Sequence, residues 1–229
     1  MVKKEMVHVP GCFLMNKIMV LTTSLGGIDG VAQYVPQSVK YDFYKYDEPL
    51  RYNSMTPRLQ AKIPKFFGWK LKPDYDYYLW LDGNLSLADS DSLKYFHDAI
   101  QDYDVVVLKH PYRNTIWWEY RYNWRGLHNN APSNYLRKRY VNELLDEQIN
   151  VIKDDKDYVD DYLVLGGVFM YRNTPEVHRM LKEWFYHVSR YCVMDQLSWA
   201  YVFKKSGLRV NVLPDIYNDC KWLKVEKHA

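Results

Sequence analysis

Tyr77-Tyr78-Leu79-Trp80-Leu81-Asp82-Gly83-Asn84 is the stretch on which the fold of this chain turns. Tyr, Leu and Trp in succession favour a strand, and the run is too short and too apolar for a surface helix. It ends abruptly in a carboxylate, a glycine and an amide. Strand alternation carried through Asn84 puts Asp82 and Asn84 on one side, where their oxygens can share a cation. Gly83 between them admits a ligand or another backbone at close range. The same residues also spell a strand followed by an ordinary Asp-Gly turn, and spacing leaves both readings open.

Upstream, Lys17-Ile18-Met19-Val20-Leu21-Thr22-Thr23 predicts a first strand that runs into Ser24-Leu25-Gly26-Gly27. Small hydroxylated and glycine residues after a strand are where an open α/β sheet holds a nucleotide. The segment is not GxGxxG, so it carries no dinucleotide fingerprint, and Gly26-Gly27 alone is equally a turn. Val39 to Tyr44 alternates and predicts a second strand. Thr56-Pro57 opens a helix, with Thr as N-cap and Pro in the first helical position. Arg58, Lys62 and Lys65 share one face of it, either a solvated basic face or a clamp for a diphosphate. Pro64 is expected to kink or end that helix.

Downstream, Ser90-Asp91-Ser92 caps a helix to about Gln101, with Leu93, Phe96 and Ile100 on its apolar side. Asp104 to Lys109 is a near-continuous apolar strand of a sheet covered on both faces, ending in His110-Pro111-Tyr112-Arg113. Leu163 to Tyr171 reads as a strand interrupted by Gly166-Gly167, marking a bulge or a ligand pressed on the backbone. Thr174-Pro175-Glu176 starts a helix with Val177, Leu181, Trp184, Phe185 and Val188 on one side. Met194-Asp195-Gln196 starts another that ends near Gly207, with Asp195 a capping group on the plain reading. Leu208 to Pro214 closes the set as a last strand. Strands alternating with helices predict an α/β domain with a mostly parallel sheet.

Residues 109–140 have a different texture. Seven basic residues (Lys109, Arg113, Arg121, Arg125, Arg137, Lys138, Arg139) stand against one acid, Glu119, with Trp117, Trp118, Tyr120, Tyr122, Trp124 and Tyr135 interleaved. That mixture suits single-stranded nucleic acid or an anionic sugar chain, or else two amphipathic helices packing their aromatics inward. Asp154-Asp155-Lys156-Asp157 with Asp160-Asp161 reads as a solvated acidic loop that balances it.

Composition narrows the classes. With 229 residues, 48% of them hydrophobic, the chain can bury a core and is expected to form one domain over 1–229. A net charge of +3 does not by itself imply a nucleic-acid partner. No apolar run is long enough to span a membrane, and the N-terminus lacks an h-region and a cleavage site; the expectation is a cytoplasmic protein. Cys12, Cys192 and Cys220 lack metal-ligand spacing and cannot all pair, which fits a reducing interior.

In order, these pieces resemble the GT-A nucleotide-sugar glycosyltransferases, and among them the glycosyltransferase-like domain family named for plant turgor and mucilage proteins. The matching stretches are Leu21 to Gly27, the Arg58–Lys62–Lys65 helix, Tyr78 to Asn84, Lys109 to Asn114, Gly166 to Arg172 and Asp195 to Trp199, spread over residues 17–214. Residues 115–160 match least and are expected to vary with the acceptor. The resemblance implies a Rossmann-like GT-A domain, a mostly parallel sheet with helices on both faces. It implies transfer from a nucleotide-sugar, a UDP-sugar for preference, to a hydroxyl of a glycan or of a modified DNA base. Thr22, Thr23, Ser24, Arg58, Lys62, Gly166 and Gly167 would hold the donor. Asp82 and Asn84 would ligate Mn2+ or Mg2+, Asn84 standing where the family's Asp-x-Asp has a second acid, with His228 a further candidate ligand. Asp195 would be the base of an inverting reaction or a sugar-orienting group in a retaining one. His110 is either an acceptor contact or a hydrogen-bonded structural histidine. A catalytically degenerate module that binds a sugar nucleotide or nucleic acid is the alternative. Oligomeric state is left open.

Overall fold

The computed structural model describes residues 16–25, 35–47, 55–129, 135–216 and 219–226. In chain order come β1 (Ile18–Thr23), β2 (Asp42–Tyr46), α1 (Pro57–Leu71), β3 (Tyr77–Leu81) and β4 (Leu85–Leu87). Then follow α2 (Ser92–Ala99), β5 (Val105–Lys109), α3 (Ile116–His128), α4 (Tyr135–Tyr140) and α5 (Leu145–Asp154). The chain closes with β6 (Val164–Arg172), α6 (Pro175–Arg190), α7 (Gln196–Ser206), β7 (Val210–Leu213) and β8 (Leu223–Val225).

Six strands form one sheet in the order β2-β1-β3-β6-β5-β7. β1 lies parallel to β2 and β3, and β5 to β7, while β6 is antiparallel to both of its neighbours. The sheet is thus mostly parallel, as expected, with one reversed strand at its centre. Alternation sorts its side chains into two cores. Met19, Leu21, Tyr78, Trp80, Phe169 and Tyr171 pack against α1, α6 and α7. Ile18, Val20, Leu79, Leu81, Val168 and Met170 face α2 and the small β4–β8 ribbon. A third cluster joins α3 and α5 to α7 through Ile116, Ile149, Ile152 and Leu197.

Local signals explain most of the boundaries. The Thr56 hydroxyl accepts from the Leu59 N–H, and Pro57 follows it, as the cap chemistry predicts. Pro64 does not end α1. The helix runs on to Leu71 with non-helical backbone at Phe67, held because Phe66 is buried against the sheet. Thr174 caps α6 through the Val177 N–H. The acidic stretch is not a free loop. Asp160 accepts from the N–H groups of Ile116 and Trp117 and so caps α3, and Asp155 takes the Tyr201 hydroxyl and Lys205.

The long helices also settle where the aromatics of 109–140 go. Trp117 and Tyr120 turn inward to the third cluster, whereas Trp118, Tyr122, Trp124 and Tyr135 stand exposed. Inward packing of the whole set is therefore not what forms. Cys192 is buried, burial pushing its thiol up to about 12, and both it and Cys220 are free. Cys12, Gly26, Gly27 and His228 lie outside the described residues. Among the described residues no helix is long and apolar enough to cross a membrane.

Candidate donor site

The strand that opens the reading, β3, ends at Leu81, and its next residues fold back. Leu85 N–H donates to the Asp82 carbonyl at 2.9 Å, closing Asp82-Gly83-Asn84-Leu85 into a turn. Asp82 and Asn84 are therefore brought together by a turn and not by strand alternation. Both still line one cavity of about 450 Å³, with Thr23, Arg58, Lys62, Trp80, Arg139 and Tyr140 around them. In charge, Arg58, Lys62 and Arg139 line it with one carboxylate among the described residues, that of Asp82. The backbone of Glu226, just beyond β8, donates to the Asn84 carbonyl at 2.8 Å and stitches the ribbon to this turn.

Asp82 is held from behind. Its N–H donates to Gly167 O at 2.8 Å, and Oδ1 accepts from Trp80 Nε1 at 2.8 Å and lies 3.5 Å from Lys65 Nζ. The side chain is 41% exposed, so the second oxygen, Oδ2, is available to a ligand. Asp195 is held differently. It occupies the N-cap position of α7 but caps nothing with its side chain. Oδ2 instead meets Lys62 Nζ at 2.6 Å and the fully buried Lys65 ammonium more closely still. Burial opposes ionisation of Asp195, but Lys62 and Lys65 outweigh it and hold the carboxyl well below its usual range. For Lys62, burial is likewise overcome by Asp195 and Asp82, which raise its pKa.

Between the two carboxylates runs the glycine pair of β6. Pairing with β5 slips between Val107↔Phe169 and Lys109↔Val164, an irregularity whose span on β6 includes Gly166-Gly167. A Cβ on Gly166 would stand 2.9 Å from Asp195 Oδ1, and one on Gly167 would stand 3.3 Å from Asp82 Oδ2. The glycines make room for the two carboxylates; that is the close approach they permit.

The remaining expected residues divide. Thr23 lines the cavity and donates its hydroxyl to Tyr46 O at 2.6 Å. Thr22 is buried with no partner for its hydroxyl among the described residues, and Ser24 is tied by its N–H to Tyr46 O; neither lines the cavity. Arg58 donates to Arg139 O at 2.7 Å, and burial, then Arg139, lowers its pKa. His110 is not among the lining residues. Its Nδ1 accepts from the N–H groups of Tyr112 and Arg113, which puts the neutral ring's proton on Nε2, 3.7 Å from Glu119. Burial lowers its pKa despite Glu119. The sequence does not mark Arg139, because in Arg137-Lys138-Arg139 only the turn of α4 decides which cation faces the cavity. The same holds for Tyr140, whose hydroxyl burial pushes up to about 12.

Residues 49–229 match the family model described as TOD1/MUCI70, glycosyltransferase-like domain. The chain belongs to this family. The TOD1/MUCI70 match begins after β2 and runs to the last residue, whereas the stretches that carry the sequence resemblance start in β1 and end in α7. Among solved structures, the chain is similar to a glycosyltransferase involved in the glycosylation of the major capsid of PBCV-1. That pair has 10% identity and a TM-score of 0.46 over 89% of this chain and 85% of the other. The apo structure of WbbM, a bifunctional glycosyltransferase, aligns with 12% identity and a TM-score of 0.53 over 90% of this chain. This TOD1/MUCI70 chain spans 40% of the WbbM chain, and the likeness is one of fold. Comparison with curated protein sequences gives no match. Family and fold together bear out the expected glycosyltransferase of GT-A architecture.

Proposed function

We propose that this domain moves a sugar from a nucleotide-sugar, a UDP-sugar in the first instance, to a hydroxyl acceptor on a glycan or a modified DNA base. The reading rests on the meeting of Asp82, Asn84, Thr23, Arg58, Lys62 and Arg139 around one cavity at the strand ends. An excess of cations over carboxylate there suits a diphosphate, and Tyr135 and Tyr140 offer flat faces to a base or sugar.

Mn2+ or Mg2+ fits the donor set in part. Asp82 Oδ2 and the Asn84 amide oxygen are hard ligands, but no group of three His, Cys, Asp or Glu side chains converges among the described residues. Bound there, the ion would neutralise charge on the departing diphosphate. The chain's own groups divide the rest of the work. Arg58 and Arg139 hold phosphate oxygens, and Thr23 borders the nucleotide. Asp195, kept ionised by two lysines, is a poor proton acceptor, so its role is to orient Lys62 and the sugar.

A thermal-shift screen of nucleotide sugars with and without Mn2+, followed by assay of released nucleotide, tests the proposal. A stabilising donor with metal-dependent release is expected. Binding without release would instead support a degenerate sugar-nucleotide module, which Asn84 in place of an acid favours. Arg139→Ala should weaken donor binding by roughly 1–3 kcal/mol, as for a charge-assisted hydrogen bond, read by calorimetric titration. Asn84→Asp should tighten Mn2+ binding roughly tenfold, the value of one charged contact, measured by metal titration of the activity.

A further inference from the structure

One face of α3 takes no part in the donor cavity. Trp118, Arg121, Tyr122 and Arg125 recur at i, i+3, i+4 and i+7 along it, while Ile116, Glu119 and Asn123 occupy the buried side. Trp118 is 51% and Tyr122 is 55% exposed, so large rings stand in water on a helix anchored in the core. Guanidinium groups lie over them: Arg121 is 5.2 Å from the Trp118 ring and Arg113 4.2 Å from the Tyr122 ring. With Leu136 of α4 these residues wall a cavity of about 460 Å³. No acid lines it among the described residues. Glu119 points inward to Arg113 and Asn123, and the sequence from Asn130 to Asn134 carries no acid either. Neither Arg121 nor Arg125 has an ion pair among the described residues.

Guanidinium groups are donors only. A hydroxyl-rich glycan would find little here to accept its O–H donors, whereas phosphodiester oxygens are acceptors only and match. Arg121 and Arg125 are about one turn apart, roughly 6 Å along the axis, with rings between and beside them. Cations alternating with exposed flat rings fit a strand of alternating phosphates and bases.

We propose that this face of α3 binds single-stranded nucleic acid, phosphates on Arg121 and Arg125 and bases on Trp118 and Tyr122. α4 connects the groove to the donor cavity, since Leu136 lines the one and Tyr135, Arg139 and Tyr140 line the other. The two helices sit close because Gly126 lacks a side chain; a Cβ there would be 2.3 Å from Leu136 Cδ1. A strand held on α3 thus lies one short helix away from the donor. The inference deepens the acceptor part of the proposed function and rests on it only for that role, since the binding itself needs no donor.

Fluorescence anisotropy of a labelled oligothymidylate, titrated with the full chain over a series of salt concentrations, tests it. Binding at low salt is expected, with affinity falling steeply as salt rises. Arg121→Ala with Arg125→Ala should flatten the log–log salt slope by about 1.4, near 0.7 for each lost phosphate contact. Trp118→Ala should weaken binding roughly fivefold or more at an unchanged slope, since stacking is uncharged. These side chains project from the surface, so the variants should melt with the wild type. Asp82→Ala should bind the oligonucleotide as the wild type does, which separates failure of this site from failure of the donor site. Absence of binding at low salt, or a slope untouched by the double variant, would overturn the proposal. Tighter binding of polygalacturonate through the same arginines would overturn it too, assigning the groove to an anionic glycan.

Discussion

Asp195→Ala should destabilise the fold by about 3–5 kcal/mol, the usual result of removing one member of a buried ion pair. Lys65 has a fully buried side chain whose only anionic neighbours among the described residues are Asp195 and, at 3.5 Å, Asp82. Its ammonium lies 5.3 Å from the Trp184 ring and 5.8 Å from that of Trp80, contacts that offset a part of the desolvation and no more. Lys62 keeps 19% exposure and can turn to water, so the cost falls mainly on Lys65. Urea denaturation would measure it. Lys65→Met with Asp195→Leu should recover most of the loss, because a matched apolar pair leaves no stranded charge. A single variant as stable as the wild type would remove the argument.

The pH dependence has a definite sign. Because the native carboxyl of Asp195 titrates below its unfolded value, its stabilisation is present above about pH 4 and is lost as pH falls through the native pKa. The gap in urea midpoint between the wild type and Asp195→Asn should therefore be full at neutral pH and close under acid.

Asp82→Ala should have the opposite profile, losing more than about 100-fold in donor turnover while the fold survives. Donor hydrolysis with Mn2+ and a melting curve would read the two effects. The magnitude exceeds the ten- to hundredfold typical of residues that merely support a metal ligand, since on the proposed reading Asp82 is the ligand itself. Survival follows from position. Asp82 is 41% exposed, its backbone bond to Gly167 O is kept, and Lys65 retains Asp195. Full activity in a folded Asp82→Ala chain would sink the metal site. The two carboxylates share a lysine, yet on the proposed reading one carries the fold and the other the chemistry.

Much of this was legible from short-range chemistry. Thr56-Pro57 and Thr174-Pro175 announce helix starts because a hydroxyl cap and a fixed φ act within four residues. Tyr77 to Leu81 and Val105 to Lys109 announce buried strands by composition alone. β4 and β8, each three residues long, show no period to read, and α5 is obscured between the basic and acidic stretches. Asp195 resembled a cap because a cap is the common use of an acid at a helix start. Nothing near it in the chain announces Lys62 and Lys65, about 130 residues away.

By itself, the sequence determined most of the succession of strands and helices, the family likeness and the wager on Asp82, since each depends on neighbours along the chain. Tertiary structure alone decided that Asp82 and Asn84 meet through a turn, that two glycines seat two carboxylates, and that Arg139 joins the cavity while His110 does not. Those outcomes depend on which side chains the sheet and helices bring within a few ångströms, and charge burial acts on distance in space, not on separation in the chain.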